Sequence, residues 1–357
     1  MTDPAPFLPP PAATALRRLP KCNVHTHLEG SVRPATWWEL AREADLGVAV
    51  GPEGAQAMLQ VDGTERSLVD YLAKISRTYP VLKNREALQR TAFEAAEDAA
   101  RDGVVYFELR AGPMTHAGPG LPVEEVIERL LEGLRQAEER FGIVARLIVS
   151  ALRHHSPEIN VELARAALTY RNDGVVGFDL AGDEAGFPPQ LHAEAFSVAR
   201  QGGLGLTVHA GEAAGAENVT YAVQALGATR IGHGIRSIES ESAVEMLKAR
   251  RVLLEICPTS NVHTGAVAGI ARHPVRRLYD RGVPISIGDD DPVTSRTHVS
   301  NELTLLKDLF GFTDVELAGI QRTTLEASFL REAGVRARLG EVLASGRGLG
   351  CAGPPVG

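Results

Sequence analysis

Apolar residues along this chain follow two spacings. Short runs rich in β-branched residues recur between longer stretches whose apolar positions return every three or four residues, the pattern of repeated strand–helix units around a parallel sheet. Eight such runs predict strands: Cys22–His27, Val104–Leu109, Val144–Ala151, Val175–Leu180, Gly205–His209, Arg230–His233, Val252–Ile256 and Pro284–Ile287. The stretches between them, such as PATWWELAREADL and PVEEVIERLLEGLRQAEERFG, predict amphipathic helices. Pro122 suits a first helical position and Gly142 a helix end. After the eighth run, His298–Leu339 predicts two or three more helices. No linker rich in Pro, Gly or Ser interrupts residues 20–340, so the expectation is one α/β domain over residues 13–342, a TIM (β/α)8 barrel with extra C-terminal helices. Val48–Pro80 is longer than an ordinary βα connection and predicts an insertion after strand 1 that forms a flap over the mouth. Residues 1–12 and 343–357, rich in Pro and Gly, are expected to be flexible ends. Trp37 and Trp38 are adjacent and cannot share one helix face, which assigns one to the core and the other to a surface.

Composition narrows the class. The chain has 357 residues, 44% of them hydrophobic, enough to fill the core of one large barrel. A net charge of −8, a pI near 5.8 and no basic run argue against a nucleic-acid partner. The N-terminus lacks the basic-then-apolar order of a secretory signal, and no window reaches the roughly 18 apolar residues of a membrane span, so a cytoplasmic location without membrane contact is expected. Cys22, Cys257 and Cys351 have no C-x-x-C spacing, which argues against a disulfide framework or a cysteine zinc site.

The unusual polar residues fall where the predicted strands end. Those ends read HTHLEG, ELRAG, ALRHH, DLAGDE, VHAGE, GHG, EICPTSN and GDDDP. In a (β/α)8 barrel the C-terminal strand ends and the loops after them build the active site. Residues i and i+2 of a strand share a face, so His25 and His27 point the same way, and two imidazoles on neighbouring pleats suit a single zinc ion. His209 in TVHAGE can supply a third nitrogen and the SIGDDDP segment a carboxylate, leaving a position open for water. Glu212 and His233 lie at neighbouring strand ends as proton-handling groups. Asp289, Asp290 and Asp291 cannot all ionise close together without a cation, a second argument for metal nearby.

The ordered set HTHLEGS, GVVYFELR, VVGFDLAGDE, VHAGE, GHG, CPTSN and DDP, spread from Pro20 to Leu330, resembles the adenosine deaminases of the amidohydrolase superfamily. The resemblance implies a (β/α)8 barrel and, as part of purine salvage, hydrolytic loss of ammonia from C6 of adenosine and 2′-deoxyadenosine, a small-molecule substrate. It implies one Zn²⁺ per subunit held by His25, His27, His209 and Asp290, the last chosen over Asp289 by its place before Asp291-Pro292. It also implies that Glu212 donates a proton to purine N1, that His233 orients the attacking water and takes or shares its proton, and that Asp290 accepts a hydrogen bond from that water. Asp291 is then the partner of N7, the Gly182 N–H the donor to N3, and Glu29 the residue that meets the ribose, with His27 also on the substrate side.

Two departures bear on substrate. Many members have Asp where this chain has Glu29, and Ser-Pro where it has Gly112-Pro113. Adenine deaminases of the family also carry Glu there, but they usually lack DLAGDE and the Arg of ELR, so Asp179–Glu184 and Arg110 favour a nucleoside. Other 6-aminopurine compounds, namely adenine, aminodeoxyfutalosine or an N6-substituted AMP, form the alternative; a phosphate would need Arg77, Lys83, Arg110 or Arg153 at the mouth. A barrel that only binds is disfavoured because every catalytic position is filled. The cytidine-type zinc deaminases need a later P-C-x-x-C that CPTSN does not supply. The fourth strand holds no lysine to bridge two metals, which favours one. The sequence does not separate a monomer from a homodimer.

Overall fold

The computed structural model describes residues 14–346. Eight strands form one parallel sheet in sequence order: β1 (Lys21–His27), β2 (Val104–Ala111), β3 (Val144–Leu152), β4 (Val175–Ala181), β5 (Gly205–Ala210), β6 (Arg230–His233), β7 (Leu253–Ile256) and β8 (Ile285–Ile287). Each expected run became a strand. The sheet curls until its ends meet just past β8, where the Asp290 N–H donates to the His25 carbonyl (3.0 Å) and the His27 N–H to the Asp290 carbonyl (2.7 Å). That seam joins the HTH segment to the DDD segment, some 260 residues away in sequence, and so builds half of the site.

The expected helices pack outside the barrel, and three of them, Val299–Phe310, Asp314–Ala327 and Ala333–Ser345, follow β8. Their ends obey capping chemistry. Gly142 closes the helix Val123–Phe141 at φ +71, while Pro122 sits one residue before that helix instead of inside it. Thr313 and Glu316 form a reciprocal capping box. The last helix runs to Ser345, three residues into the stretch expected to be a flexible end. The rest of those expected ends, residues 1–12 and 347–357, lies outside the described residues, as does Cys351. Cys22 and Cys257 are buried free thiols. Among the described residues no helix is long and apolar enough to cross a membrane.

The insertion after β1 folds into the helices Pro52–Leu59 and Leu68–Ile75 and a 3₁₀ turn over Ser76–Val81, and it roofs the C-terminal mouth. Trp37, buried, donates its indole N–H to the Arg77 carbonyl (2.8 Å), and the half-buried Trp38 donates to the Val50 carbonyl (2.8 Å). The core and outer roles expected of this pair therefore both serve to pin the roof. On its far side, the Val61 N–H reaches the Thr294 carbonyl and the Tyr71 hydroxyl meets Ser295 Oγ.

The opposite end of the barrel is closed by Phe329, in the link between the last two helices. A Cβ on Gly205 would stand 2.2 Å from this ring and one on Gly177 2.6 Å, so both glycines make room for it. The ring lies 3.6 Å from the guanidinium carbon of Arg230, and the Phe329 N–H donates to Glu108 Oε1 (2.7 Å). Phe329→Ala is expected to cost about 3 kcal/mol, from the void and the lost cation–π contact. Equilibrium chemical denaturation reads this, and an unchanged midpoint would mean the plug carries no stability.

Candidate metal centre and active site

Four side chains converge where β1, β5 and the loop after β8 meet. One donor atom from each of His25, His27, His209 and Asp290 lies within 4.8 Å of every other. Asp290 Oδ1 is 3.2 Å from His25 Nε2 and 3.3 Å from His27 Nε2, and the Nε2 atoms of His27 and His209 are 3.1 Å apart. A tetrahedral ion with bonds of about 2.0–2.1 Å separates its donors by about 3.3–3.4 Å, so these gaps fit a single metal. The outer atoms of the cluster are already engaged. His25 Nδ1 is 2.8 Å from Glu255 Oε2, His209 Nδ1 is 3.1 Å from Asp179 Oδ1, and Ser260 Oγ donates to Asp290 Oδ2 (2.6 Å). Carboxylates behind His25 and His209 leave the Nε2 of each free to face a cation, the usual supporting arrangement of a metal site.

The backbone bends to achieve this. Relative to β2, the first strand carries an extra residue between Asn23 and Thr26, a bulge of the kind found beside active sites. Asp290 and His233 both adopt left-handed backbone, φ +59 and +58, which costs roughly 1–3 kcal/mol each in a residue with a side chain. Gly232 makes room for two rings, since a Cβ there would be 3.1 Å from both His25 and His209.

The three successive aspartates face three ways. Asp289 turns away from the cluster to Asn23 Nδ2 (2.8 Å) and Thr26 Oγ1 (2.5 Å), and burial pushes it up to about 6. Asp290 enters the metal cluster. Asp291 lines the cavity, where burial and then the Asp290 charge raise its pKa well above the usual carboxylate range. The expected crowding is thus relieved partly by direction and partly by the raised pKa of Asp291.

Glu212 and His233 stand beside the cluster, with His233 Nε2 3.6 Å from Glu212 Oε2. Burial and then the negative charge of Asp290 push Glu212 up to about 8, so it is protonated at neutral pH. Burial holds His233 well below its ordinary value, so that ring is neutral. A directed chain of hydrogen bonds fixes where its proton sits. The Val275 N–H donates to His273 Nδ1, which leaves the His273 proton on Nε2 to donate to Asn261 Oδ1 (3.1 Å). Asn261 Nδ2 is thereby turned toward His233 Nδ1 (3.0 Å) and Glu212 Oε1 (3.3 Å). With Nδ1 accepting, neutral His233 carries its N–H on Nε2, on the Glu212 side.

Below the cluster lies a layer of charge that the sequence reading did not assemble. Arg110 Nη2 bonds Glu255 Oε2 (2.7 Å), and its Nη1 is 3.4 Å from Asp179 Oδ2. Arg230 Nε bonds Glu255 Oε1 (2.6 Å), and its Nη2 stands 2.7 Å from Glu108 Oε2, off the hydrogen-bond axis. Burial would raise Glu255, yet the two arginines hold it well below the carboxylate range. The available signal was a charged residue inside an apolar strand run, as in LLEIC. Such a residue must face inward and find a partner.

The site opens into a cavity of about 390 Å³ that includes Glu29, Gly182, Glu212, His233, Asp290 and Asp291 in its walls. The residues expected to hold metal, meet substrate or move protons therefore all line this cavity apart from His25, which sits behind it. Residues 20–345 match the sequence profile of the adenosine deaminase family.

The chain belongs to the adenosine deaminase family.

Similarity to individual proteins agrees. An adenosine deaminase from Shewanella loihica is 38% identical over 319 residues, 88% of this chain and 95% of its own length. Among solved structures, an adenine deaminase from Arthrobacter aurescens superposes with a TM-score of 0.84 at 26% identity, covering 92% of this chain and 98% of that one. An N6-methyl-AMP deaminase from Arabidopsis thaliana gives 0.83 at 28%, covering 93% and 98%.

Relative to the family pattern, the two departures in this chain meet each other. Glu29 Oε1 accepts the Gly112 N–H (2.9 Å) and lies 2.8 Å from Nε2 of the buried His116. Burial works against its charge, and the His116 bond overcomes it, so Glu29 is held below its ordinary value. A longer acid and a small loop residue thus form one unit in this adenosine deaminase family member. His116 was not foreseen.

Proposed function

We propose that this protein is a zinc-dependent hydrolase that converts adenosine and 2′-deoxyadenosine to inosine and 2′-deoxyinosine with release of ammonia. The observation that carries this reading is a protonated, buried carboxyl, Glu212, set beside a four-donor metal cluster in one cavity. Three imidazoles and one carboxylate suit Zn²⁺, held by His25, His27 and His209 through Nε2 and by Asp290 through Oδ1. When bound, zinc supplies Lewis acidity toward the attacking water.

The side chains do the rest. Glu212 passes its proton to purine N1, which breaks the electron richness of the ring and opens C6 to attack. Asp291, whose raised pKa favours its acid form, donates to N7, a lone-pair acceptor, and the Gly182 N–H donates to N3; at φ +100 that residue adopts backbone suited to glycine. His233 directs its Nε2–H at the oxygen of the attacking water and orients it. Asp290 accepts one proton from that water and delivers it to the departing N6. The C6–N6 bond then breaks, ammonia leaves, and the proton remaining on the new C6 hydroxyl returns to Glu212, giving the lactam product with the donor reset.

The substrate choice rests on cations. No arginine or lysine lines the cavity among the described residues. Arg110 is spent on Glu255, Arg153 on the Phe187 carbonyl, Arg77 on the Met58 carbonyl and Lys83 on the Thr115 carbonyl. A 5′-phosphate would meet carboxylates there and no counter-charge, which argues against an N6-substituted AMP and leaves Glu29 to accept a sugar hydroxyl. Adenine is the second reading, favoured by the solved adenine deaminase of the same fold. A panel of 6-aminopurines followed by ultraviolet difference absorbance decides. Adenosine and 2′-deoxyadenosine are expected to give the highest kcat/KM, with AMP and N6-methyl-AMP roughly a hundredfold lower. Adenine outrunning adenosine would replace the leading reading.

A further inference from the structure

Glu184 has no part in the chemistry above, yet it is the most heavily bonded carboxylate near the site. It lies past the end of β4, 2% exposed. Its Oε1 accepts the Gly211 N–H (2.7 Å) and Asn218 Nδ2 (3.1 Å), and its Oε2 accepts the N–H groups of Glu212 (3.0 Å), Ala213 (2.8 Å) and Ala214 (3.0 Å). All five donors come from one segment, residues 211–218, and four of them are consecutive main-chain N–H groups. Gly211, at φ +71, starts the turn that points them to one concave side, the geometry by which backbone amides hold an anion.

We propose that Glu184 is the positioning residue for the proton donor Glu212, an inference that rests on the function proposed above. Residues 211–215 form neither helix nor strand, so no regular ladder fixes where Glu212 leaves the backbone. Its side chain is steered from the segment after β7 by Thr264 Oγ1 (2.9 Å) and Asn261 Nδ2 (3.3 Å), both on Oε1. Its main chain is fixed by Glu184 alone among side chains. The β4 end thus serves three neighbours in six residues: Asp179 orients His209, Gly182 lines the cavity and Glu184 holds the loop of Glu212. Proton transfer to a ring nitrogen demands hydrogen-bond reach, and a displacement near 1 Å can cost on the order of a hundredfold in rate.

The test is a double-mutant cycle on the metal-loaded protein with adenosine as substrate. Glu184→Gln keeps the length, gives up the charge and sets an amide N–H₂ against N–H donors. It is expected to lower kcat roughly ten- to a hundredfold with KM changed less than about threefold and metal content unchanged. In a Glu212→Gln background the same change is expected to lower kcat by less than about threefold, because the group being positioned is already gone. Glu184→Asp, which keeps the charge and loses the reach, goes through the same cycle and covers the case in which Glu184→Gln does not fold. Equal losses in both backgrounds, or undiminished kcat in either Glu184 variant, would overturn the positioning role and leave the function intact. Near-normal activity of Glu212→Gln by itself would overturn both.

Discussion

Glu212→Gln lowers kcat for adenosine by about 10²- to 10⁴-fold while the metal stays bound. Glutamine has the length of glutamate and can keep the contacts to Thr264 and Asn261, but it has no acidic proton to give. The metal donors are other residues, so metal content measured on the purified variant stays at the wild-type level. Rapid turnover by this variant would remove Glu212 from the proton-donor role. The same group sets a pH limit. Its protonated form is the active one, so kcat/KM falls as pH rises through the folded pKa, which burial and the Asp290 charge push up to about 8. A cation on Asp290 cancels part of that push, which places the alkaline limb at or below about pH 8, and the Glu212→Gln profile lacks that limb.

His209→Ala removes a metal donor and loosens a buried carboxylate. The lost Nε2 leaves His25, His27 and Asp290, and the lost Nδ1 takes one of two partners from Asp179 Oδ1, which keeps the Leu180 N–H (2.8 Å). Ordinary loss of a supporting partner costs ten- to a hundredfold in metal affinity, so loss of a direct donor is expected to cost at least about a hundredfold. The variant should retain little metal after dialysis against a weak chelator, and deamination should fall with it. Full metal occupancy in a folded variant, judged by elemental analysis together with circular dichroism, would contradict the four-donor cluster.

Much of this was legible in the chain because strand-end chemistry is local. The alternation of apolar runs and amphipathic stretches located β1–β8 within a residue or two, with β2, β3, β4 and β5 each continuing one or two residues further than the runs suggested. His25, His27, His209, Glu212 and His233 follow from position at those ends. What stayed hidden depends on closure. Glu255 meets His25 from 230 residues away, and nothing within either strand announces that pairing. The chain from His273 through Asn261 to His233 is invisible for the same reason, since hydrogen-bond direction exists only once the β7–β8 connection is folded against the end of β6. Glu184 stands in DLAGDE with no role legible from the sequence, because a nest of backbone N–H groups leaves no mark on side-chain pattern. The separate directions of Asp289, Asp290 and Asp291 depend on left-handed backbone at Asp290, which a residue other than glycine does not advertise.

The charged layer beneath the cluster also constrains how this protein can change over generations. Arg110, Arg230, Glu108, Asp179 and Glu255 are each fully buried, and their charges are paired only with one another and a few neighbours. Altering one leaves an opposite charge unpaired in the interior at a cost of about 3–5 kcal/mol, a large share of a typical domain's stability. A lineage cannot cross such a step one substitution at a time, so these positions change in concert or stay put. Roof residues such as Leu68, Val69 and Leu72, which line the cavity, form no ion pair, so the choice among adenine compounds can change there at less cost to the fold than the charged layer allows.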